Sequence, residues 1–160
     1  MNLVLGVDPG LSGALALYDL QGQALAEVFD MPTIDAGVGS KRVVDESTLA
    51  WRIDALAKRI KHAFVEKVGA MPGQGVTSMF SFGTSYGIVR GVIAANFIPI
   101  TLVTPQSWKK TLGVPAAKDG ARARASQLLP ASSGLWCRVK DDGRAEASLI
   151  ALYGAKYASR

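Results

Sequence analysis

The order of apolar and turn-forming segments predicts an α/β fold, a mixed five-stranded sheet with helices on both faces. Three short apolar runs separated by tight turns fill the first thirty residues, and two more follow near 62–68 and 100–103. Segments with helical spacing or helical ends lie between and after them. The resulting order βββαβαβαα gives three antiparallel strands at the N-terminus and two parallel ones.

Asn2 to Val7 is too short for a helix and stops at Asp8-Pro9-Gly10, which fits a buried strand feeding a tight turn. Ala14 to Tyr18 and Ala24 to Phe29 are the next strands, with a turn over 19–23. Met31 to Lys41 contains Pro32 and Gly37 and is predicted to be a flexible connection. Asp45 or Ser47 can cap a helix running to about Ile60, with Leu49, Ile53, Leu56 and Ile60 on one face. His62 to Val68 is a near-continuous apolar run, as in a central strand covered on both sides. A Gly- and Ser-rich connection over 69–87 leads to a helix over about 85–96, and Ile100 to Val103 is a strand ending at Thr104-Pro105. Lys118 to Leu129 and Asp142 to Tyr157 close the chain as helices.

At 160 residues and 49% apolar content, one domain over 1–160 is expected, with a core of useful size. The net charge is +5, from 18 Lys and Arg against 13 Asp and Glu, and favours a polyanionic partner such as nucleic acid. The lone Cys137 cannot close an intramolecular disulfide and is expected to pack as a small hydrophobe; no secretory pattern opens the chain, so a cytoplasmic location is expected. No run approaches the roughly 20 apolar residues of a membrane span, and no membrane partner is expected. His62 has no His or Cys in ligand spacing, which argues against zinc.

Against that basic background, four acids stand out by position. Asp8 ends a buried strand at a Pro-Gly turn, and Glu66 sits inside an apolar strand, where a carboxylate is costly without a positive partner. Asp142 and Glu146 are four apart in "KDDGRAEASLIALYGAKY" and share a helix face, with Arg144 pointing elsewhere. Capping explains Asp142, or Asp141 if the helix starts one residue earlier, but not Glu146 beside Leu149, Ile150 and Tyr153. Such acids suit hard divalent cations, and metal-assisted cleavage of a phosphodiester is the chemistry they point to.

The segments "GVDPGLSGALA", "AFVEKV", "YGIVRGVIAA", "ITLVTPQSWKK" and "DGRAEASLIALYG" together resemble the RuvC family of Holliday junction resolvases, in order and over nearly the whole chain. The resemblance implies a ribonuclease H-like fold, a homodimer, and Mg2+-dependent paired nicking of four-way and related branched DNA junctions. It implies two Mg2+ per site, replaceable by Mn2+, held by Asp8, Glu66, Asp142 and Glu146, with Asp141 as the substitute for Asp142. In many relatives the last two ligands are three residues apart, whereas here position 143 is Gly. Repulsion among the acids should raise at least one pKa.

Lys109, Lys110, Lys118, Arg122 and Arg124 are expected to flank the site and neutralise DNA phosphates, with Arg144 able to serve another. Met79, Phe80 and Phe82, read as part of the 69–87 connection, can stack on unpaired bases, and Gln74 can contact a base or phosphate. Gly87, Gly91, Ala94 and Ala95 mark either a dimer face or close packing on the chain's own sheet. Two other readings compete: a catalytically silent module that binds branched nucleic acid, and a phosphotransferase, since the Asp8 turn also resembles the phosphate loop of the actin and sugar-kinase superfamily.

Overall fold

The computed structural model describes residues 2–37, 41–70 and 72–158. Its main sheet has five strands: β1 (Leu3–Asp8), β2 (Ala14–Asp19), β3 (Ala24–Asp30), β6 (Ile60–Glu66) and β7 (Ile100–Val103). The spatial order is β3-β2-β1-β6-β7, with β1, β2 and β3 antiparallel and β6 and β7 parallel to β1. β1 and β6 are therefore interior strands, and their apolar runs are explained by cover on both faces.

Strand alternation sorts the residues between two cores. Leu3, Leu5, Val7, Ala63 and Val65 face one core, beneath α1 (Glu46–Ala57) and α2 (Val76–Ala95). Val4 and Phe64 face the other, beneath α5 (Asp142–Ala158), α4 (Gly120–Leu128) and α3 (Pro105–Leu112). α5 lies directly on the sheet: a Cβ on Gly6 would come within 2.3 Å of the Ala147 carbonyl oxygen, and one on Gly154 within 2.3 Å of the Phe64 ring. Both glycines thus let the helix approach close enough to carry a side chain of its second turn to the ends of β1 and β6.

Several expectations are corrected. The 31–41 connection contributes to a hairpin, β4 (Thr33–Asp35) paired with β5 (Arg42–Val44), although residues 38–40 lie outside the described residues. Its polar and glycine content concealed short β-branched runs whose Val44 is buried. α1 is capped by the Asp45 carboxylate, as expected, but stops at Ala57, and Ile60 begins β6. α2 starts nine residues before the expected 85, so Met79, Phe80 and Phe82 lie on a helix and not in a flexible connection. Gly83 and Gly87 do not break it. α3 was not foreseen. Its signals are nevertheless present: Thr104 caps the first turn, Pro105 opens it, and Gly113 closes it in the left-handed conformation at φ 65°. α4 begins at Gly120, which leaves Lys118 ahead of it, and Cys137 is exposed, not packed in a core. Among the described residues no helix is long and apolar enough to cross a membrane.

Candidate active site

In the β1–β6 pairing Val7 lies opposite Val65, so the next step sets Asp8 beside Glu66 at the shared C-terminal edge. Alternation turns both carboxylates toward the α5 side, where Val4 and Phe64 also point. Glu146 comes from the second turn of α5, and Lys109 from the middle of α3. The Lys109 Nζ is 3.0 Å from Glu146 Oε1 and lies over the Trp108 ring, 5.0 Å from its centre.

Each carboxylate is oriented by a donor. The Gly10 N–H donates to Asp8 Oδ1 at 3.1 Å, which is what the Pro-Gly turn provides. The indole N–H of Trp108, a residue with no exposed surface, donates to Glu66 Oε2 at 2.8 Å. Burial lifts Asp8 to about 6; the Gly10 bond opposes this, Glu146 adds repulsion, and Lys109 offsets part of it. Burial likewise lifts Glu66 to about 7, opposed by the Trp108 bond and reinforced by Glu146 and Asp8. A raised pKa, expected from repulsion among the acids, is present at two of them, with burial as its leading cause and repulsion a smaller one.

The other two acids of the expected set are placed elsewhere. Asp142 Oδ1 accepts from Arg122 Nε at 2.6 Å, and Asp141 is buried and accepts from the Arg138 side chain at 2.8 and 2.9 Å. Hydrogen bonding to Arg138 holds Asp141 down at about 2. Neither acid is among the charges acting on Asp8 or Glu66. Position 143 has no room for an acid, because a Cβ there would stand 2.4 Å from the Ser12 carbonyl oxygen. The structure thus gathers three carboxylates, not four. Among the described residues no group of three or more Asp, Glu, His or Cys side chains is gathered tightly enough to hold a metal ion as it stands. The donor types still suit a hard cation: Asp8, Glu66 and Glu146 lie within electrostatic reach of one another, Lys109 pairs with Glu146, and Mg2+ brings several of its own waters.

The expected DNA contacts divide in the same way. Lys109 belongs to the carboxylate cluster, while Lys110 and Lys118 are exposed. Arg122 is engaged by Asp142, and Arg124 Nε donates to the Leu112 carbonyl at 2.6 Å, tying α4 to the end of α3. Arg144 grips both oxygens of Asp30, at 2.6 and 2.7 Å, and fastens α5 to β3. These three arginines serve the fold in this arrangement. Beside Glu66 a groove of about 560 Å³ is lined by Gln74, Phe82, Thr104, Pro105 and Gln106. Met79 and Phe82 line an adjoining apolar recess, and Phe80 projects from α2 with 77% of its surface exposed. Sequence reasoning missed Trp108, whose signal was a large aromatic next to Lys109 just after a strand end.

No known family's sequence profile matches the chain, and no curated protein does. Solved structures do match. Thermus thermophilus RuvC in complex with a Holliday junction substrate is similar at a TM-score of 0.66 and 20% identity, over 99% of this chain and 96% of that one. The yeast mitochondrial Holliday junction resolvase gives 0.57 and 13%, over 99% and 79%, and the fowlpox virus Holliday junction resolvase 0.52 and 16%, over 99% of both. At these identities the likeness is one of fold, and the expected ribonuclease H-like architecture is the one observed.

Proposed function

We propose that the chain is a Mg2+-dependent endodeoxyribonuclease that cuts four-way and related branched DNA junctions, making paired symmetric nicks as a homodimer. The observation that carries this is the convergence of Asp8, Glu66 and Glu146 at adjoining ends of β1, β6 and α5, with raised pKa values at the first two, in a fold like that of junction resolvases. Metal-free, the cluster retains protons that a bound cation would displace.

Asp8, Glu66 and Glu146 would hold Mg2+, or Mn2+ in its place. A cation held there would supply charge stabilisation at the scissile phosphate and a more acidic water for attack on phosphorus. The protein's own contribution is placement. Gly10 fixes the Asp8 carboxylate, Trp108 fixes Glu66, and Lys109 moderates the repulsion while remaining near enough to meet a phosphate oxygen. Gln74 and Phe82 shape the groove through which a strand reaches Glu66, and Phe80 offers a stacking surface. Lys110 and Lys118 add exposed positive charge for the flanking phosphates.

For the dimer, α2 offers its outer face. A Cβ on Gly83, Gly87 or Gly91 would meet nothing within 4 Å, so these glycines are not required for packing on the chain's own sheet. A second copy related by a two-fold axis would place two equivalent sites on two equivalent strands.

The test is to incubate the protein with end-labelled four-way junction, linear duplex and splayed fork in Mg2+. Symmetric nicks confined to branched substrates are expected, and lost in Asp8→Asn and Glu146→Gln while binding persists. Wild-type cleavage by both variants would overturn the proposal, and binding without cleavage in Mg2+ or Mn2+ would identify a silent module.

A further inference from the structure

Across the turn that follows Asp8 lies a second concave site, a pocket of about 240 Å³. Gly10 of this turn faces Asp8, whereas Ser12 and Gly13 line the pocket. Its charged wall is Arg42 from β5 with Arg138 and Lys140 from the turn ahead of α5. Asp30 and Asp141 also line it, but both are already occupied, Asp30 by Arg144 and Asp141 by Arg138. Arg138 keeps 56% of its side chain exposed despite that bond. Arg42 donates to the neutral Thr33 hydroxyl, and among the described residues neither Arg42 nor Lys140 forms an ion pair. The pocket is therefore net positive, with two cations left for an external anion.

The pocket also connects to the candidate active site. Leu11 and Arg42 are shared with a neighbouring groove that carries the hydroxyls of Thr77, Ser78 and Ser81. Gln74 and Phe82 in turn are shared between that groove and the one beside Glu66. Adjoining concave surfaces thus lead from Lys140 past Arg42 to Glu66, a course open to an extended polyanion.

We infer that Arg42, Arg138 and Lys140 form a phosphodiester-binding subsite for the same DNA strand, apart from the scissile phosphate. This rests on the nuclease reading above and adds to it a docking point absent from the basic residues expected from sequence. Its role is to anchor the backbone and set which phosphate reaches Asp8 and Glu66.

The test is anisotropy of a labelled four-way junction with wild type, Arg42→Ala/Lys140→Ala, Lys140→Glu, and a control of equal charge loss, Lys58→Ala/Lys61→Ala, at the opposite end of β6. Measured across about 50 to 300 mM KCl, the first double variant should bind roughly ten-fold more weakly and lower the salt slope by about 2. Lys140→Glu, which removes no internal partner, should weaken binding as well, and the control should change affinity less than about two-fold. The subsite is overturned if folded Arg42→Ala/Lys140→Ala or Lys140→Glu binds like wild type, or if the control loses as much. It is equally overturned if inorganic phosphate binds wild type tightly and Lys140→Glu abolishes only that response. If wild type itself neither binds nor cuts the junction, the nuclease reading fails instead.

Discussion

Within six residues, the start of α5 and its second turn carry acids in contrasting surroundings. Asp141 and Asp142 each meet a guanidinium, Arg138 or Arg122, and Asp141 is held at about 2. Glu146 pairs with one lysine and adds repulsion at Asp8 and Glu66, which burial chiefly lifts to about 6 and 7. Burial acts on acids in both places; the partner decides the outcome. A guanidinium turns a buried carboxylate into a structural anchor, whereas acid facing acid leaves a charge imbalance that a cation can relieve.

Substitution at the two places should break this contrast if it is wrong. Glu66→Gln or Asp8→Asn should lower junction cleavage by about a thousandfold or more, the scale on which loss of charge stabilisation at a reacting centre operates. Asp142→Asn should stay within about five-fold of wild type, since its loss is a partly exposed ion pair with Arg122. Single-turnover cleavage measures both. Equal damage from Asp142→Asn would return it to the ligand set.

Asp141→Asn should have the reverse profile, with cleavage retained and stability reduced by about 1–3 kcal/mol, because a buried carboxylate loses its charged hydrogen bonds. A depressed pKa stabilises the fold above the unfolded value of 3.8, and that contribution is lost as pH falls toward about 2. Urea unfolding should therefore show the deficit of the variant at pH 7 and a shrinking deficit below pH 4.

At the carboxylate cluster the sign is opposite. Raised pKa values mean that the folded state holds protons the unfolded chain releases, between 3.8 and about 6 for Asp8 and between 4.5 and about 7 for Glu66. Their contribution is fully present below pH 4 and is lost as pH rises to 7, about 1–2 kcal/mol for each group once its partial exposure is allowed for. Metal-free Asp8→Asn should thus gain stability over wild type at pH 8 and not at pH 4, and Mg2+ should stabilise wild type more than the variant. Thermal melts in chelator and in Mg2+ check both.

Legibility in the sequence followed how local each signal was. The main-sheet strands were readable as short apolar runs bounded by turns, and Asp8 and Glu66 stood out because acids at such ends are costly, whereas the β4–β5 hairpin was not foreseen. Met79 to Phe82 were misread because glycine and serine density suggested a loop, while packing of Ser85, Val89 and Ile93 on the sheet sustains the helix. The pairing of Asp142 with Arg122 was not legible, because Arg122 lies twenty residues upstream and only the fold brings them together. The same holds for Trp108 and Glu66, 42 residues apart.

That pair supplies the finest test of the contrast. Trp108→Phe keeps a large apolar ring in the core but removes the indole donor from Glu66 Oε2. The indole bond is the leading influence holding the Glu66 pKa down, so its loss should raise that pKa further and leave the carboxylate free to rotate. Cation affinity should then fall about ten-fold, as when an outer partner of a metal-binding carboxylate is removed. The alkaline-going limb of the cleavage profile should move to higher pH. A purely structural role for Trp108 would lower the melting temperature and leave the limb in place. Unchanged Mn2+ affinity and an unmoved limb in folded Trp108→Phe would show that Glu66 is positioned by its strand alone, and that the acids of the cluster differ from those at the start of α5 only in lacking an arginine.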